Sequence, residues 1–402
     1  MKSLTILGST GSIGCNTLDV VGRHTDKYRV FALVAGHNVD LLVRQVLEFR
    51  PQVVVVATEQ VLANLTNRLR EAGLAKSGWP ELGWGRQARM AAARAPEVGF
   101  VMSAIVGVAG LEATYEAARL GKTIGLATKE VLVVGGRLVI EAGRAAGAEL
   151  IPVDSEHNGV HQCLRAGRRS EVVRIILTAS GGPFRETPLE RLATVTPAEA
   201  LNHPTWKMGK RITIDSATMM NKGFEVIEAC WLFDMAPMDV EVVIHPQSSV
   251  HAMVEYRDGS IIAQIAATDM RMPIQYALTY PDRIPAPAPR LDWSAPRKWD
   301  FCPPDLEKFP LLKLAYRAQQ AGGSATCTLN AADEIAVEAF LEGRISFPAI
   351  AGLVEETLAQ MPNRQPESIE EVLEIDGEAR ALARRLVRRW AQPARSATLV
   401  KA

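Results

Sequence analysis

The stretch that decides the fold lies near the start of the chain and reads Leu4-Thr-Ile-Leu-Gly8-Ser-Thr-Gly11-Ser-Ile-Gly14. An apolar run typical of a buried strand leads into a glycine-rich turn, and a helical pattern follows through Val20 and Val21. In this arrangement the backbone N–H groups of the turn and of the helix N-terminus can bind a dinucleotide pyrophosphate. The spacing is G-x-x-G-x-x-G instead of G-x-G-x-x-G, so the turn predicts a nucleotide site without specifying an ordinary NAD site.

Strand and helix patterns alternate after this turn, which is typical of a doubly wound parallel sheet. Apolar runs at 29–35, 53–57, 98–105 and 123–127 predict strands with helices between them. The first of these runs ends in Ala35-Gly36-His37-Asn38, where an NAD enzyme tends to have an Asp or Glu for the ribose 2′-OH. Because no carboxylate repels a 2′-phosphate and Ser9, Thr10, His37 and Asn38 are available to bind one, we predict NADPH as the cofactor. An ordinary surface histidine at position 37 is the alternative.

Composition limits the classes of protein that fit. The 402 residues are enough for two or three domains, and the formal net charge of zero gives no global attraction to nucleic acid or to an anionic membrane. Five widely spaced cysteines without a Cys-x-x-Cys pair favour a reducing compartment. No apolar run approaches membrane-spanning length, and the first strand begins at Leu4, so we expect no leader peptide. The predicted location is the cytoplasm, with neither nucleic acid nor membrane as a partner.

A candidate metal site follows the next apolar run, in Leu150-Ile-Pro-Val-Asp154-Ser-Glu156-His-Asn-Gly159. Residues i and i+2 of a strand point to the same face, so Asp154 and Glu156 are predicted to converge. Two convergent oxygen ligands suit a divalent cation such as Mg²⁺ or Mn²⁺. A polar turn after a buried strand is the alternative. Upstream, Lys129 ends another predicted strand and is a candidate substrate contact, or else a solvated surface lysine.

The second half of the chain carries candidate anion ligands. Residues 178–184 (Thr-Ala-Ser-Gly-Gly-Pro-Phe) follow a predicted strand and suggest a backbone anion nest. Residues 202–209 suggest a lid with Trp206 at its tip, or a packed connecting loop. A helix entered near Ser216 or Thr218 would place an amide, an ammonium and a carboxylate on one face, from Asn221, Lys222 and Glu225. Glu225 could complete a three-carboxylate site; an ordinary surface ion pair with Lys222 is the alternative.

The remaining patterns complete the predicted architecture. Asp258-Gly259 between apolar runs predicts a β-hairpin in a small antiparallel sheet suited to dimerisation. Eight prolines between 281 and 310 predict an extended linker, and helical spacing dominates from 311 onward. Residues 73–85 are predicted to be a surface excursion. The predicted fold is α/β, with a Rossmann-like doubly wound sheet (1–150), an α+β catalytic, metal-binding and dimerisation domain (151–285), a linker (286–310) and a helical bundle (311–402).

Eight segments, in order, resemble the 1-deoxy-D-xylulose 5-phosphate reductoisomerase family of the non-mevalonate isoprenoid pathway. They are GSTGSIG (8–14), AIVG with GL (104–111), KE (129–130), PVDSEHN (152–158), SGGPF (180–184), NHP (202–204), NKGFE (221–225) and HPQS (245–248). The resemblance runs from residue 4 to about 352. It implies a homodimeric enzyme that uses NADPH and a divalent cation (Mg²⁺, Mn²⁺ or Co²⁺) to convert this phosphorylated sugar to 2-C-methyl-D-erythritol 4-phosphate.

Carried over position by position, the resemblance implies a full set of site residues. The metal ligands would be Asp154, Glu156 and Glu225, and the residues with catalytic roles Lys129, Glu156, His203 and Trp206. The substrate site would comprise Ser155, Ser180, His203, Ser216, Asn221, Lys222 and Glu225. The cofactor site would comprise Thr10, Gly11, Ser12, Ile13, Gly36, His37, Asn38, Thr128, Glu130, Met208 and Gly209. The chain departs from the family pattern at Thr128 and Asp333, where the family usually has Asn.

These parts fit a retro-aldol cleavage, re-addition at the neighbouring carbon, and hydride transfer to the resulting aldehyde, with the lid retaining the fragments. One rival hypothesis is a metal-independent semialdehyde or sugar dehydrogenase, which the carboxylate set disfavours. Another is a non-catalytic NADPH sensor for a protein or DNA partner. Neutral charge and the phosphate-binding residues disfavour the sensor.

Overall fold

The computed structural model describes residues 1–206 and 208–390. The chain divides into two compact units. The first contains Met1–Ile176, Trp231–Asp234 and Ser249–Lys298, and the second contains Leu177–Cys230, Met235–Ser248 and the chain from Trp299 onward. The division by functional role at 150, 285 and 310 stays a prediction.

A seven-stranded parallel sheet forms the centre of the first unit. Its strands are β1 (Lys2–Leu7), β2 (Tyr28–Val34), β3 (Val53–Val56), β4 (Glu81–Trp84), β5 (Phe100–Ser103), β6 (Thr123–Leu126) and β7 (Glu149–Pro152). They lie in the order β4-β3-β2-β1-β5-β6-β7. The inner strands are apolar along nearly their whole length, as Val-Val-Val-Val in β3 illustrates, because helices cover both faces of such a sheet. The predicted Rossmann-like sheet is confirmed.

The helices of this region are α1 (Ser12–Gly22), α2 (Val39–Phe49), α3 (Glu59–Glu71), α4 (Gly85–Arg94), α5 (Leu111–Arg119), α6 (Glu130–Ala146) and α7 (Ser155–Cys163). The strand order changes direction at β1, which has β2 on one side and β5 on the other. Ligands of open α/β sheets bind at the carboxyl ends of the strands beside such a switch point. The glycine-rich turn lies there.

The predicted surface excursion at 73–85 is wrong for its second half. Glu81–Trp84 is β4, which pairs in parallel with β3 and forms one edge of the sheet. Its sequence Glu-Leu-Gly-Trp lacks the continuous apolar run of an inner strand such as β3.

A four-stranded sheet has the order β11-β10-β8-β9. Its strands are β8 (Val172–Ala179), β9 (Val240–Ile244), β10 (Val250–Tyr256) and β11 (Ile261–Ile265). Strands β10 and β11 form the predicted antiparallel hairpin, with Gly259 at φ +83° in the turn. Helix α7 packs on this hairpin, where Gly159 leaves room for Ala252 of β10.

Further α-helices lie in the rest of the described chain. They are α8 (Pro197–Ala200), α9 (Lys210–Ala217), α10 (Met220–Phe233), α11 (Arg271–Thr279), α12 (Pro310–Ala321), α13 (Ala325–Leu341), α14 (Phe347–Gln360) and α15 (Ile369–Trp390). Helix α13 is buried along most of its length and packs against α14 and α15, which confirms the predicted C-terminal helices. Among the described residues, no helix is both long and apolar enough to cross a membrane.

Candidate active site

The glycine-rich turn after β1 is built by close backbone contacts. Gly8 has φ +91°, and a Cβ there would lie 2.4 Å from the Ala104 carbonyl oxygen. A Cβ on Gly14 would lie 2.3 Å from the Gly8 oxygen, so neither position accepts a side chain. Gly11 is the N-cap of α1; no side chain caps this helix, and its first turn holds no acidic residue. The N-terminal N–H groups of α1 are therefore suited to an anion.

The end of β2 offers polar groups without a carboxylate beside them. His37 is exposed, and Asn38 caps α2 by accepting a hydrogen bond from the Leu41 N–H at 3.2 Å. The first carboxylate after the strand, Asp40, pairs with Arg68 at 2.5 Å. Ser9 is fully buried, so the prediction that its hydroxyl binds a 2′-phosphate is wrong for this conformation.

Thr128 lies two residues after β6, and its hydroxyl is hydrogen-bonded within the protein. It donates to the Ile105 carbonyl oxygen at 3.1 Å and is buried. The side chain therefore anchors the loop after β5, and its predicted cofactor contact stays a prediction. Glu130 is the first residue of α6.

Asp154 and Glu156 do not lie on a strand, which corrects the geometry predicted from the sequence. Strand β7 ends at Pro152, Asp154 is the N-cap of α7, and Glu156 lies in the first turn of that helix. Carboxylates are favoured at this end of a helix by its dipole. The Ser155 hydroxyl donates to Glu156 Oε2 at 2.6 Å.

Lys129 is buried and forms an ion pair with Asp154 at 2.5 Å, so it is not a solvated surface lysine. Burial acts to raise the pKa of Asp154, but the nearby Lys129 and His157 outweigh it and hold that pKa well below its ordinary value. Asp154 is therefore a carboxylate. Both members of the pair belong to the first unit.

In the second unit, His203 lies between two serine hydroxyls. Its Nε2 is 3.1 Å from Ser180 Oγ and 3.1 Å from Ser216 Oγ. Its Nδ1 accepts hydrogen bonds from the N–H groups of Thr205 and Trp206, at 3.1 and 2.9 Å. Because Nδ1 accepts, the proton of the neutral ring is on Nε2 and faces the serines. Burial lowers the pKa of His203, which favours this neutral form.

Two consecutive glycines shape the turn beside these serines. Gly181 and Gly182 have φ of +82° and +67°, and a Cβ on Gly182 would lie 2.7 Å from the Ser216 carbonyl oxygen. The Gly182 N–H donates to Ser180 Oγ at 3.3 Å. The Ser-Gly-Gly sequence thus brings the end of β8 against α9. Trp206 is only partly buried, and its predicted role as a lid tip stays a prediction.

The predicted helix entered near 216 or 218 is α10, but it begins later than predicted and Ser216 lies outside it. Helix α9 ends at Ala217, Met219 adopts a left-handed conformation (φ 65°), and α10 begins at Met220. Ser216 and Asn221 therefore lie on two helices joined by a sharp, buried corner. The cost of a left-handed methionine is borne by surrounding contacts.

Helix α10 brings together the predicted amide, ammonium and carboxylate. Lys222 Nζ is 2.5 Å from Glu225 Oε2, and Asn221 Nδ2 donates to Glu225 Oε1 at 2.7 Å. Lys222 and Glu225 are 3% and 1% exposed. An exposed ion pair contributes little to stability, whereas a buried one carries a large desolvation cost. The alternative of an ordinary surface pair is wrong.

Sequence reasoning missed Arg211, which lies in the first turn of α9. Its guanidinium donates to Glu334 at 2.6 Å and to Asn330 at 2.8 Å, both in α13. The i,i+4 spacing of Arg211 and Asp215 was the local signal for this cluster. The partners in α13 lie more than a hundred residues away in sequence, so no local pattern predicts them.

Comparison with known proteins matches three family models to the chain. The model of 1-deoxy-D-xylulose 5-phosphate reductoisomerase matches residues 4–136, and that of its C-terminal domain matches 150–233. The DXP reductoisomerase C-terminal domain model matches 265–382. A 1-deoxy-D-xylulose 5-phosphate reductoisomerase of Solibacter usitatus is 70% identical, with 96% of this chain and 97% of the relative covered. The chain belongs to this reductoisomerase family.

Further members of the reductoisomerase family agree with this assignment. The enzyme of Geotalea uraniireducens is 51% identical, with 94% of this chain and 96% of the relative covered. The Zymomonas mobilis enzyme, solved with NADPH, has a TM-score of 0.90 at 46% identity, covering 96% of this chain and 99% of that one. A DOX-P reductoisomerase solved with NADPH, fosmidomycin and magnesium has a TM-score of 0.89 at 40% identity, covering 96% and 98%. The family, the fold class and the assignment as an oxidoreductase are confirmed.

Proposed function

We propose that this chain converts 1-deoxy-D-xylulose 5-phosphate to 2-C-methyl-D-erythritol 4-phosphate, with NADPH and a divalent cation as cofactors. The observation that carries the proposal is two buried lysine–carboxylate pairs, Lys129 with Asp154 and Lys222 with Glu225. Each combines an oxygen ligand for a hard cation with an ammonium that can bind an anionic substrate. Members of the family solved with NADPH and with magnesium support the choice of cofactors.

The cation ligands in this proposal are Asp154, Glu156 and Glu225. All three are carboxylates, the donor type preferred by Mg²⁺ and Mn²⁺, and Glu225 is almost fully buried. A buried carboxylate requires compensation by a positive charge, and the lysine pairs are consistent with this requirement. When a cation neutralises the carboxylates, the ammonium groups of Lys129 and Lys222 would become available to bind the substrate.

The cofactor in this proposal lies on the glycine-rich turn and the N-terminus of α1. Thr10, Gly11, Ser12 and Ile13 supply backbone N–H groups there, and Gly36, His37 and Asn38 adjoin the ribose. The uncapped helix start and the absence of an acidic residue in its first turn support a pyrophosphate at this position. When bound, the cation acts as a Lewis acid on substrate oxygens, and NADPH supplies the hydride that completes the reduction.

The phosphate group of the substrate is bound by the second unit. Ser180, Ser216 and the Nε2–H of His203 form a cluster of neutral donors, and Lys222 with Asn221 adds a charged group. This remote binding energy orders the reacting end of the substrate, where Lys129 and Ser155 donate to its oxygens. Closure of the loop that carries Trp206 and Met208 would exclude water from the reacting fragments.

The proposed reaction is tested by NADPH oxidation with 1-deoxy-D-xylulose 5-phosphate, with Mn²⁺ and after chelation. We expect oxidation with Mn²⁺, its loss on chelation, and its return when the metal is restored. Oxidation that persists after chelation would indicate a metal-independent dehydrogenase and overturn the metal site. NADPH binding without any turnover would indicate a diverged family member or a sensor.

The proposed assembly is a cytoplasmic homodimer formed through β11. This strand is an edge of the four-stranded sheet in the described chain, and Ile261, Ile262 and Ile265 are 50%, 38% and 36% exposed. An apolar edge strand left open would favour aggregation, so its pairing with a second copy explains its composition.

The dimer is tested by sedimentation of the wild type, Ile262→Lys and Leu120→Lys. Leu120 is a comparably exposed leucine at the end of α5 and serves as the control. We expect a monomer only for the Ile262 variant. A dimer that persists in that variant would argue against pairing through β11.

A further inference from the structure

Arg211 is held by several partners at once, all within the second unit. Its Nη1 donates to Glu334 Oε1 at 2.6 Å, its Nη2 donates to Asn330 Oδ1 at 2.8 Å, and its Nε lies 3.6 Å from Asp215 Oδ2. The guanidinium also lies over the ring of Phe224, 5.9 Å from its centroid. These contacts tie three helices together through one side chain: α9, which carries Arg211, α10 and α13.

The cluster extends to α15 and is mostly buried. Glu334 accepts from Arg380 at 2.7 Å, and Arg380 also pairs with Asp376 at 2.6 Å. Asp333 is 0% exposed, and its Oδ2 is 3.9 Å from Arg211 Nη2. Burial and the neighbouring Asp215 raise the pKa of Asp333 well above its ordinary value, which favours its protonated form.

The position of Arg211 in α9 is electrostatically unfavourable for the isolated helix. Arg211 lies in the first turn of the helix, where the helix dipole disfavours a positive charge, and that turn has no acidic residue. The partners in α13 therefore account for its presence. A guanidinium is suited to this task because its planar donors contact several acceptors in fixed directions.

Helices α9 and α10, which Arg211 contacts, carry residues of the proposed phosphate pocket. Ser216 lies five residues after Arg211 on α9, with its hydroxyl against His203. Phe224 lies on α10 between Lys222 and Glu225. The left-handed residue Met219 joins the two helices, so their relative orientation depends on contacts made elsewhere.

We propose that Arg211 is a positioning residue of the phosphate pocket: clamped by α13, it fixes α9 and α10 so that Ser216, His203 and Lys222 keep a common geometry. This inference rests on the proposed function only for the identity of the phosphate ester. Loss of the clamp removes none of the pocket side chains but allows the helices that carry Ser216 and Lys222 to shift. A displacement of about 1 Å in a binding site can cost up to roughly a hundredfold in activity.

The test compares Arg211→Met, Arg211→Lys and the control Arg317→Met. Arg317 pairs with Glu355 at an exposed position on α12, so its variant removes an exposed arginine ion pair outside the cluster around Arg211. We expect Arg211→Met to raise the KM for the sugar phosphate and the dissociation constant of inorganic phosphate by at least roughly tenfold. The KM for NADPH should stay within about twofold. Arg211→Lys should recover part of the loss, and Arg317→Met should match the wild type.

A second variant addresses the case in which Arg211→Met does not fold. Glu334→Gln keeps the shape of its side chain but weakens the clamp, and we expect the same two constants to rise by a smaller factor. Arg211 or Glu334 variants that lower the melting temperature but leave phosphate binding unchanged would overturn the inference, because they would show a purely structural role.

Phosphate binding measured by calorimetry separates this inference from the proposed reaction. A wild type that binds phosphate but does not oxidise NADPH would overturn the reaction, while the variants would still decide the role of Arg211. A wild type that binds no phosphate would overturn the phosphate pocket and with it the role of Arg211, while NADPH oxidation would still decide the reaction.

Discussion

Glu225 shows how a single side chain depends on its neighbours. It is 1% exposed, yet both of its oxygens have partners, Lys222 and Asn221. A carboxylate with this degree of burial is costly unless positive charge compensates it, and the proposed cation would add to that compensation.

Glu225→Gln removes one ligand charge at nearly constant volume. We expect weaker metal binding and a loss of turnover of at least roughly a hundredfold, because a Lewis acid supplies several kcal/mol of stabilisation. NADPH affinity, measured by fluorescence, should remain nearly unchanged. Glu338→Gln, at an exposed position on α13, is the matched control. Full turnover of the Glu225 variant at saturating Mn²⁺ would show that Glu225 is not a ligand.

The variant Gly14→Ala tests whether the glycine-rich turn binds the cofactor. An added Cβ would lie 2.3 Å from the Gly8 oxygen and 2.5 Å from the Ser9 Cα, and both are backbone atoms that cannot move cheaply. We expect Gly14→Ala to raise the KM for NADPH by roughly tenfold or more. The control is Gly99→Ala, because its Cβ would meet nothing within 4 Å. An unchanged KM for NADPH would mean that this turn does not bind the cofactor.

Elements near the site show what the sequence could and could not predict. The alternation of strands and helices predicted the parallel sheet because the central strands are rich in apolar residues. The site residues Lys222 and Glu225 were found because their spacing is local to one helix. Asp154 and Glu156 were identified as a pair, but on a strand, since Ser155–Cys163 has little amphipathic periodicity to predict α7.

Other parts of the fold depend on contacts that no local pattern contains. Strand β4 was missed because a four-residue edge strand that contains Gly owes its conformation to pairing with β3. The corner at Met219 was missed because a methionine there has no turn signal, and tertiary packing imposes the left-handed conformation.

The C-terminus of α2 offers a stability test at the element scale. Arg50 is its C-cap, with φ 47° and an exposed side chain, so a non-glycine residue carries the cost of the left-handed conformation. Arg50→Gly should therefore stabilise the protein by about 0.5–1 kcal/mol, as measured by urea denaturation. Arg44→Gly in the middle of α2 should destabilise it by about 1 kcal/mol. Equal losses in both variants would show that Arg50 has side-chain contacts that outweigh the strain.

For the whole molecule, the charge cluster around Arg211 couples stability to pH. The groups around Asp333 are Asp215 and Arg211 on α9, Glu334 beside it on α13, and, through Glu334, Arg380 and Asp376 on α15. Four carboxyls thus face two guanidiniums, and a proton on Asp333 reduces the excess of negative charge. In the unfolded chain Asp333 titrates near its ordinary pKa of about 3.9.

The sign of the pH dependence follows from that difference in pKa. Between the unfolded and the folded pKa of Asp333 the folded state binds more protons, so stability falls as pH rises, by up to about 1.4 kcal/mol per pH unit. Asn at this position has an amide that can donate to Asp215 at every pH. Asp333→Asn should therefore gain stability over the wild type as pH rises from about 4 towards the raised folded pKa of Asp333, measured as the difference in unfolding free energy. Other titrating groups, such as His203, are common to both proteins and cancel in that difference. A difference that stays constant as pH rises above about 5 would mean that Asp333 is already ionised in the folded protein.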